Sequence, residues 1–546
     1  MSTSTTEGSA PVNQAEFDID PAVHARRWWV LAVLCVSMTV IVMDNTILNV
    51  AIPKLITDLN ASNSQVQWII DSYTIVFAGL LLTTGSLSDR FGRKGALQIG
   101  IVLFGLGSVL SALATSAPQL IATRAFMGIG GALIMPSTLS LLTNTFRDPK
   151  ERGRAIGIWA GFSGVGVAGG PLVGGVLLKH FSWSSVFWVN IPIGLTALIA
   201  GAFLLPKSRE DRSDKLDPIG SVLSIIGLAT FLYGVIEVPD KGFSSPGVLA
   251  GFGFGIVAIA AFILWEKRID HPMLDMNFFK NPRFTAANTA VTLTFFAMFG
   301  SLFLMTQYWQ FVHGYTPLEA GIRLIPYAMG MMVMAPLSSR LVERIGSKNV
   351  ITIGLGVVTL ALIGLSFLQR DTPYALAIVP FVMMSTGIGL VMPPATESVM
   401  GSLPRDKAGV GSAVNDTTRQ MGGAVGVALI GAVVSSIYAG KVATAARRFG
   451  VSGAQLAEAK SSLGGGLKIA AGVAEGFTNA VKDAFVSGLS SGLRMSSLFV
   501  VFAAFVVWRY LPARALGHEE LLAASPEELQ EPEDIQAMAG SLAVGE

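Results

Sequence analysis

The stretch Leu87-Ser-Asp-Arg-Phe-Gly-Arg-Lys94 recurs 254 residues later as Leu341-Val-Glu-Arg-Ile-Gly-Ser-Lys348, with the acid, an arginine, the glycine and the lysine at matching positions. A second pair of similar segments, Gly131-Ala-Leu-Ile-Met-Pro-Ser-Thr138 and Gly389-Leu-Val-Met-Pro-Pro-Ala-Thr396, lies 258 residues apart. Two matches at nearly the same offset indicate an internal repeat. The sequence therefore predicts a protein built from two similar halves.

The composition predicts that both halves lie in a membrane. The 546 residues are 51% hydrophobic and 14% charged, with a mean hydropathy of +0.59, whereas soluble domains are about 25% charged. Fourteen apolar runs are each long enough to cross a hydrocarbon core, which takes about 20 residues. They begin near Trp28, Gln65, Ala96, Pro118, Ala155, Ser184, Pro218, Gly247, Phe284, Glu319, Asn349, Pro373, Ala408 and Ser490. We number them spans 1 to 14 and predict an all-α integral membrane protein.

The offset of the repeat groups these spans as six, two and six. Residues 28–205 are predicted to form one six-helix bundle from spans 1–6, and residues 284–511 a second, pseudo-symmetric bundle from spans 9–14. Spans 7 and 8 fall outside the repeat, in a linker over residues 206–283, and are predicted to be an inserted central pair. Parallel repeats are one of the known transporter architectures, in which the substrate site lies between the repeats near the midplane.

Positive charge predicts how the chain is oriented. With the N-terminus inside, cytoplasmic tails and loops hold 24 of the 38 Lys and Arg residues, and short outer loops hold four. Both termini are therefore predicted to be cytoplasmic, with a polar tail over residues 1–27 and an acidic tail over 512–546. The long outer segment 439–488 has helix-like apolar spacing and predicts a small helical hairpin.

Several spans carry longer motifs. The motifs are Asp44-Asn-Thr-Ile-Leu-Asn-Val-Ala-Ile-Pro53 on span 1, Gly85-Ser-Leu-Ser-Asp-Arg-Phe-Gly-Arg-Lys94 after span 2, Arg124 with Gly128, Gly130 and Gly131 on span 4, Gly170-Pro-Leu-Val-Gly-Gly175 on span 5, and Trp183 through Phe187 to Asn190-Ile-Pro-Ile-Gly194 on span 6. Together they resemble the motifs of the major facilitator superfamily, specifically its fourteen-span drug:proton antiporters. The resemblance covers about residues 28–511.

The resemblance implies a proton-coupled multidrug exporter of the cell membrane that works by alternating access, without a cofactor and driven by the proton gradient. It also implies two groups of moving contacts. Gly85, Asp89, Arg90, Gly92 and Arg93 would link the two bundles at the cytoplasmic side and separate during transport. On span 5, one bundle would be sealed against the other by Gly166, Gly170, Pro171, Gly174 and Gly175, although such small residues can also serve close helix packing alone.

Charged residues inside spans are candidates for proton coupling, because each costs about 2.5–3.5 kcal/mol at a helix centre and therefore usually lines a cavity. The candidates are Asp44, Asp71, Arg124, Glu397, Asp416 and Arg419. Each has a structural alternative. Asp44 could form only local hydrogen bonds on span 1, Glu397 could be an acid at a helix end, and Asp416 could simply pair with Arg419 three residues away. Arg124 is expected to pair with an acid.

Aromatic residues in cavity-lining spans are candidates for substrate contact. They are Trp68, Tyr73, Phe77, Phe295, Phe296, Tyr308 and Trp309. Near span ends, Trp and Tyr also serve as interfacial anchors. An aromatic cavity that contains acids would suit amphipathic or cationic compounds, and an apolar one would accept a lipid-like substrate. Export or flipping of an endogenous lipid is therefore the second functional hypothesis.

Other functional classes have little support in the sequence. No phosphate-binding Gly-x-x-x-x-Gly-Lys-Ser/Thr loop occurs, so ATP is not the expected energy source. The five histidines are scattered and the single cysteine is Cys35, so no metal site is expected. No basic and aromatic tract predicts nucleic acid as a partner. A membrane enzyme is not expected either, and one chain already holds both bundles, which suggests a monomer.

Overall fold

The computed structural model describes residues 21–59, 61, 63–206, 217–404 and 407–512. Within these ranges, thirteen helices are long and apolar enough to cross a membrane. One of them, Leu318–Leu365, has 48 residues, so a straight helix of that length would be about 72 Å long, more than twice the thickness of a hydrocarbon core. Its backbone leaves helical geometry at Gly346, so it contains two spans. The predicted all-α membrane fold with fourteen spans is confirmed.

The helices of the two bundles follow the predicted order. Spans 1–6 are Pro21–Asp58, Asn63–Phe91, Arg93–Ala112, Ala117–Thr145, Pro149–His180 and Ser185–Leu204. Spans 9–14 are Pro282–Gln307, Pro317–Arg323 with the first part of Ile325–Leu365, the rest of that helix, Tyr374–Met400, Ala408–Phe449 and Glu475–Tyr510. The chain enters span 1 and leaves span 14 at the same side, which we call the terminal face. Residues 1–20 and 513–546 of the predicted tails, and linker residues 207–216, lie outside the described residues.

Two glycines at equivalent positions of the repeat turn the chain at the terminal face. Gly92 ends span 2 with φ 104° and Gly346 ends span 10 with φ 80°. At these φ values a residue with a Cβ is strained, whereas glycine adopts them readily. The recurrence of the motif in sequence is therefore a recurrence of the same backbone turn in each bundle.

Each bundle has its own hydrophobic core. One cluster of buried side chains is built almost entirely from spans 1–6, and the other mainly from spans 9–14. The inserted pair, Pro218–Lys241 and Pro246–Glu266, packs on itself through Gly234 and Gly251. Span 7 of this pair also lies against spans 2 and 13. Gly79 of span 2 faces Ala229 of span 7.

The outer surface of the helices is apolar. Side chains such as Phe203, Phe254 and Leu498 are between 69% and 76% exposed. In water, a surface covered with such side chains would favour aggregation. In this protein they form the surface that faces lipid.

The segment between spans 13 and 14, which was predicted to be a small helical hairpin, is helical. The helix of span 13 continues to Phe449 and that of span 14 already begins at Glu475, with short helices Gly453–Ser461 and Leu463–Ala471 between them. Tyr438 donates its hydroxyl to the carbonyl of Ala459 at 2.9 Å, which fixes the tip. The apolar residues of the segment pack on the helices of spans 13 and 14. The segment is therefore an extension of these two spans that projects from the bundle.

Replacing Gly346 by alanine tests the turn. We expect Gly346→Ala to lower the free energy of unfolding by about 1–3 kcal/mol, because a Cβ is strained at this φ and ψ. The loss appears as a lower thermal midpoint of the purified protein. Gly356→Ala is the matched control, since Gly356 is helical and has open space at its Cβ position. An equal loss in both variants would contradict the role of the turn.

Candidate functional site

Asp44 is enclosed in the first bundle, where it is 1% exposed. Its Oδ2 forms an ion pair with Nη1 of Arg124 on span 4. Its Oδ1 accepts a hydrogen bond of 2.9 Å from Nδ2 of Asn190 on span 6. The carboxylate is therefore held by two other spans of the same bundle, which goes beyond the local hydrogen bonds of the structural alternative.

Arg124 is enclosed on all sides as well. Its Nε donates to the carbonyl of Ile69 at 3.2 Å, and its Cζ lies 4.5 Å from the centre of the Tyr73 ring. An arginine over an aromatic face gains a cation–π contribution that grows when water is excluded. The expected acid partner of Arg124 is thus Asp44, and Tyr73 supports the pair from span 2.

Asn190 and Ser108 extend this site, and the sequence did not single them out as site residues. Asn190 also donates to Oγ of Ser108 at 3.1 Å, and Ser108 donates to the carbonyl of Phe187 at 2.8 Å. The signal for Asn190 was its place in the span 6 motif. The signal for Ser108 was absent, because a serine in an apolar span usually bonds its own helix. Spans 1, 2, 3, 4 and 6 thereby converge on Asp44.

Asp89 links the two bundles at the terminal face. It accepts 2.8 Å contacts from Arg93, one turn along in the same motif. It also accepts hydrogen bonds from the backbone N–H groups of Gly409 and Val410 at 3.0 and 3.2 Å. These amides belong to the first turn of span 13, where the helix dipole favours an anion.

Two further ion pairs join the bundles at this face. Arg152 at the start of span 5 binds Glu397 on span 12 through three contacts of 2.6–3.0 Å. Arg154 contacts Glu343 of the repeated motif at 3.1 Å, and its side chain is half exposed. We call the contacts of Asp89 with span 13 and these two ion pairs the latch. Glu397, predicted as a coupling residue, lies in the latch.

Close backbone contact accompanies the latch. A Cβ on Gly85 would lie 2.5 Å from the Cβ of Ala413, and one on Gly409 would lie 2.6 Å from the Asp89 carboxylate. A side chain at either position would push span 2 away from span 13. Arg90 of the same motif lies over the Phe91 ring at 5.6 Å.

The small residues of span 5 pack against two different helices. Gly166, Gly170 and Gly174 pack against span 1, where a Cβ would overlap Val42, Thr46 and Ile47. Other residues of span 5 face span 10 of the second bundle: the contacts are Gly157 with Ala335, Gly164 with Ala328, Gly175 with Leu318 and Pro171 with Gly321. Span 5 therefore packs closely against both bundles.

Asp416 and Arg419 lie together on span 13, buried between the bundles. Arg419 Nη1 is 3.6 Å from Asp416 Oδ1, and Nη2 donates to Oγ1 of Thr396 at 3.0 Å. The Arg419 guanidinium also lies over the rings of Trp159 and Phe295. Asp71, the remaining predicted coupling residue, is half-buried on span 2.

The predicted substrate aromatics do not converge. The ring of Tyr73 stacks on that of Phe77 inside the first bundle, and Trp68 stacks on Tyr233 of span 7. Phe296 and Tyr308 lie inside the second bundle, where Phe296 contacts Phe499 and Tyr308 donates to the carbonyl of Gln369. Phe295, also in the predicted set, faces Arg419, and Trp309 packs edge-on against Phe381.

No metal centre is found in the part of the chain that the structure describes. There, no three His, Cys, Asp or Glu side chains gather where they could hold an ion. Cys35 is a free, buried thiol. The charged groups of the site are carboxylates, which can bind and release a proton, and guanidiniums, which stay charged.

Comparison with known proteins agrees with this architecture. The model of the Major Facilitator Superfamily matches residues 34–427. The multidrug efflux pump LfrA of Mycolicibacterium smegmatis is 35% identical over 88% of this chain and 96% of its own length. The methyl viologen resistance protein SmvA of Salmonella typhimurium is 30% identical over 88% of this chain and 98% of its own length.

A solved structure shares the fold. The human organic anion transporter MFSD10 (TETRAN) superposes with a TM-score of 0.61 at 12% identity, over 90% of this chain and 100% of that one. Such low identity bears on the fold alone. The family match reaches from span 1 into span 13 and includes the motifs of spans 1, 2, 4, 5 and 6, so this multi-pass membrane protein belongs to the Major Facilitator Superfamily.

Proposed function

We propose that this protein is a proton-coupled exporter of amphipathic or cationic organic compounds. The observation that carries the proposal is the buried Asp44 of span 1. It binds Arg124 of span 4 and Asn190 of span 6 within the same bundle. The names of relatives at 30–35% identity, which describe multidrug efflux and resistance, support the substrate class. The gradient of protons would supply the energy.

The Asp44–Arg124 pair can couple protonation to a change of conformation. An ionised Asp44 balances the buried charge of Arg124, whereas a protonated one leaves Arg124 uncompensated in a medium of low dielectric constant. Protonation therefore favours a conformation in which Arg124 finds another partner or reaches water. A proton that binds one conformation more tightly shifts the equilibrium by that difference.

The latch gives the direction of access. The terminal face is expected to be cytoplasmic, because Arg93, Arg152 and Arg154 lie there and positive charge stays inside. The closed latch then seals the cytoplasmic side. Opening it would admit substrate from the cytoplasm, and closing it would complete the export half of the cycle.

Reconstitution into vesicles tests the function directly. We expect an imposed pH gradient to drive accumulation of ethidium, a lipophilic cation, in proteoliposomes. Ethidium movement that ignores the gradient would contradict proton coupling. Movement of a labelled lipid across the bilayer without ethidium transport would favour the lipid hypothesis instead.

Replacing Asp44 by asparagine should abolish coupled transport. Asp44→Asn keeps an oxygen for Asn190 but cannot carry a proton, so we expect loss of ethidium accumulation driven by a pH gradient. It also leaves Arg124 unpaired, which we expect to lower the stability by about 3–5 kcal/mol. Transport in proteoliposomes and the thermal midpoint measure the two effects.

The double variant Asp44→Asn with Arg124→Gln separates coupling from folding. It removes both charges, so much of the lost stability should return, because no buried charge remains unpaired. Coupled transport should stay absent. Full coupled transport in either variant would rule out Asp44 as the proton carrier.

Breaking the latch should open the terminal face. Ser339 is buried and faces Gly153 between spans 10 and 5 at this face, so a Ser339→Cys variant reports access. We expect Asp89→Asn to raise the rate of labelling of that cysteine by about tenfold, since hydrogen bonds to charged groups contribute about 1.5–3 kcal/mol. A membrane-impermeant maleimide measures the rate.

Two controls accompany this experiment. Glu343→Gln removes an exposed latch pair and should change labelling little, because exposed salt bridges contribute only about 0–1 kcal/mol. Cys35 is buried in the first bundle and should stay unlabelled. Equal effects of Asp89→Asn and Glu343→Gln would contradict the role given to Asp89.

A further inference from the structure

The Asp416–Arg419 pair differs from a fully formed ion pair in the same protein. Arg152 donates three hydrogen bonds to Glu397. Arg419 Nη1, in contrast, stays 3.6 Å from Asp416 Oδ1. Among the described residues, neither carboxylate oxygen of Asp416 has a hydrogen-bond partner, and neither has Nε of Arg419. A simple pairing along one helix does not explain this geometry.

The carboxylate oxygens of Asp416 are buried and have no hydrogen-bond partner among the described residues. Asp416 is 1% exposed. Burying a carboxylate without hydrogen bonds costs more free energy than burying an unpaired neutral polar group. Native structures keep few such atoms, and those that remain often belong to functional sites. Asp416 therefore has the capacity to bind a further group.

Aromatic rings from both bundles surround the guanidinium of Arg419. Its Cζ lies 5.1 Å from the ring centre of Trp159 on span 5 and 5.4 Å from that of Phe295 on span 9. We call Trp159, Phe295 and Asp416 the aromatic cage. Two rings beside a carboxylate bind an organic cation well, because the ring faces and the carboxylate are all negative. In this structure the cation in the cage is the protein's own side chain.

The cage lies directly behind the latch. Trp159 is seven residues beyond Arg152 on span 5, and Asp416 is seven residues beyond Gly409 on span 13. Seven residues of helix correspond to about 10 Å. When the latch opens, the cage is therefore within reach of a molecule that enters from the terminal face between the bundles.

We propose that the aromatic cage binds lipophilic monovalent organic cations, and that Arg419 is a built-in occupant that the incoming cation displaces. The inference rests on the proposed export function and adds a site to it. With the latch closed, Arg419 fills the cage and balances Asp416. With the latch open, the cation lies between the rings, and the Arg419 guanidinium leaves them while it keeps its hydrogen bond to Thr396. Opening of the latch also separates Glu397 from Arg152. Glu397, which follows Thr396 in the chain, can then balance the charge of the displaced Arg419.

The cage sets the class of ligand. The ligand takes the place of a guanidinium, so it carries one delocalised or shielded positive charge and apolar surface for the two rings. A neutral analogue of the same shape gains no attraction from Asp416. The cage therefore selects for charge, while the rings tolerate different shapes, as a multidrug site requires.

Equilibrium binding to the purified full-length protein tests the proposal. The probe is tetraphenylphosphonium, and triphenylphosphine oxide is the neutral comparator. We expect Arg419→Ala to tighten tetraphenylphosphonium binding by about tenfold, because the competing side chain is gone and more of the protein is competent to bind. We expect Trp159→Leu to weaken it by about tenfold and Trp159→Phe by much less, through loss of the cation–π contribution.

Arg323→Ala is the matched control. Arg323 also stacks on aromatic rings, with its Cζ 3.8 Å from the centre of Tyr315, but it lies at the opposite face. Its removal should leave the affinity for tetraphenylphosphonium unchanged. Binding of the neutral comparator should be the same in all four variants.

The outcomes separate this proposal from the export function. Unchanged or weaker tetraphenylphosphonium binding by a folded Arg419→Ala protein overturns the cage, as does an equal effect of Trp159→Leu on the neutral comparator. If Arg419→Ala does not fold, the comparison of Trp159→Leu with Trp159→Phe decides. A wild-type protein that exports ethidium while the cage variants bind like wild type overturns the cage alone. A wild-type protein that neither binds nor moves any cation overturns the export function itself.

Discussion

The ion pair between Asp44 and Arg124 is the interaction on which the proposed mechanism depends. Both side chains are buried among apolar helices, where a lone charge is strongly unfavourable, so each stabilises the other. Asn190 and Tyr73 hold the pair from two more spans. Because four spans contact this pair, protonation of Asp44 is expected to change the packing free energy of the bundle and not only the charge of one side chain.

The two bundles meet through glycines and charges rather than through a continuous apolar core. Close backbone contact at Gly85 and Gly157 brings spans of different bundles together, and the latch adds charge at the terminal face. Such an interface can separate at moderate cost, because its polar groups regain water when it opens. Asp416 and Arg419 lie within the same interface, with Trp159 of one bundle and Phe295 of the other beside the guanidinium.

The fold could be predicted largely from the sequence, since lipid requires about 20 apolar residues per span and the repeated turn requires glycine at Gly92 and Gly346. The site was less predictable. Arg124 was expected to have an acidic partner, but only packing shows that Asp44, 80 residues away, is that partner. Phe295 and Phe296 differ by one position, which is a rotation of about 100° around a helix, so sequence could not tell which faces Arg419.

Substrate-driven proton movement tests the central claim most directly. Proteoliposomes with equal pH on both sides and an outward gradient of ethidium are followed with a pH-sensitive dye inside. The account predicts that ethidium leaving the vesicle brings protons in, and that Asp44→Asn abolishes this proton movement. Ethidium flux through the protein without any change of internal pH would contradict it.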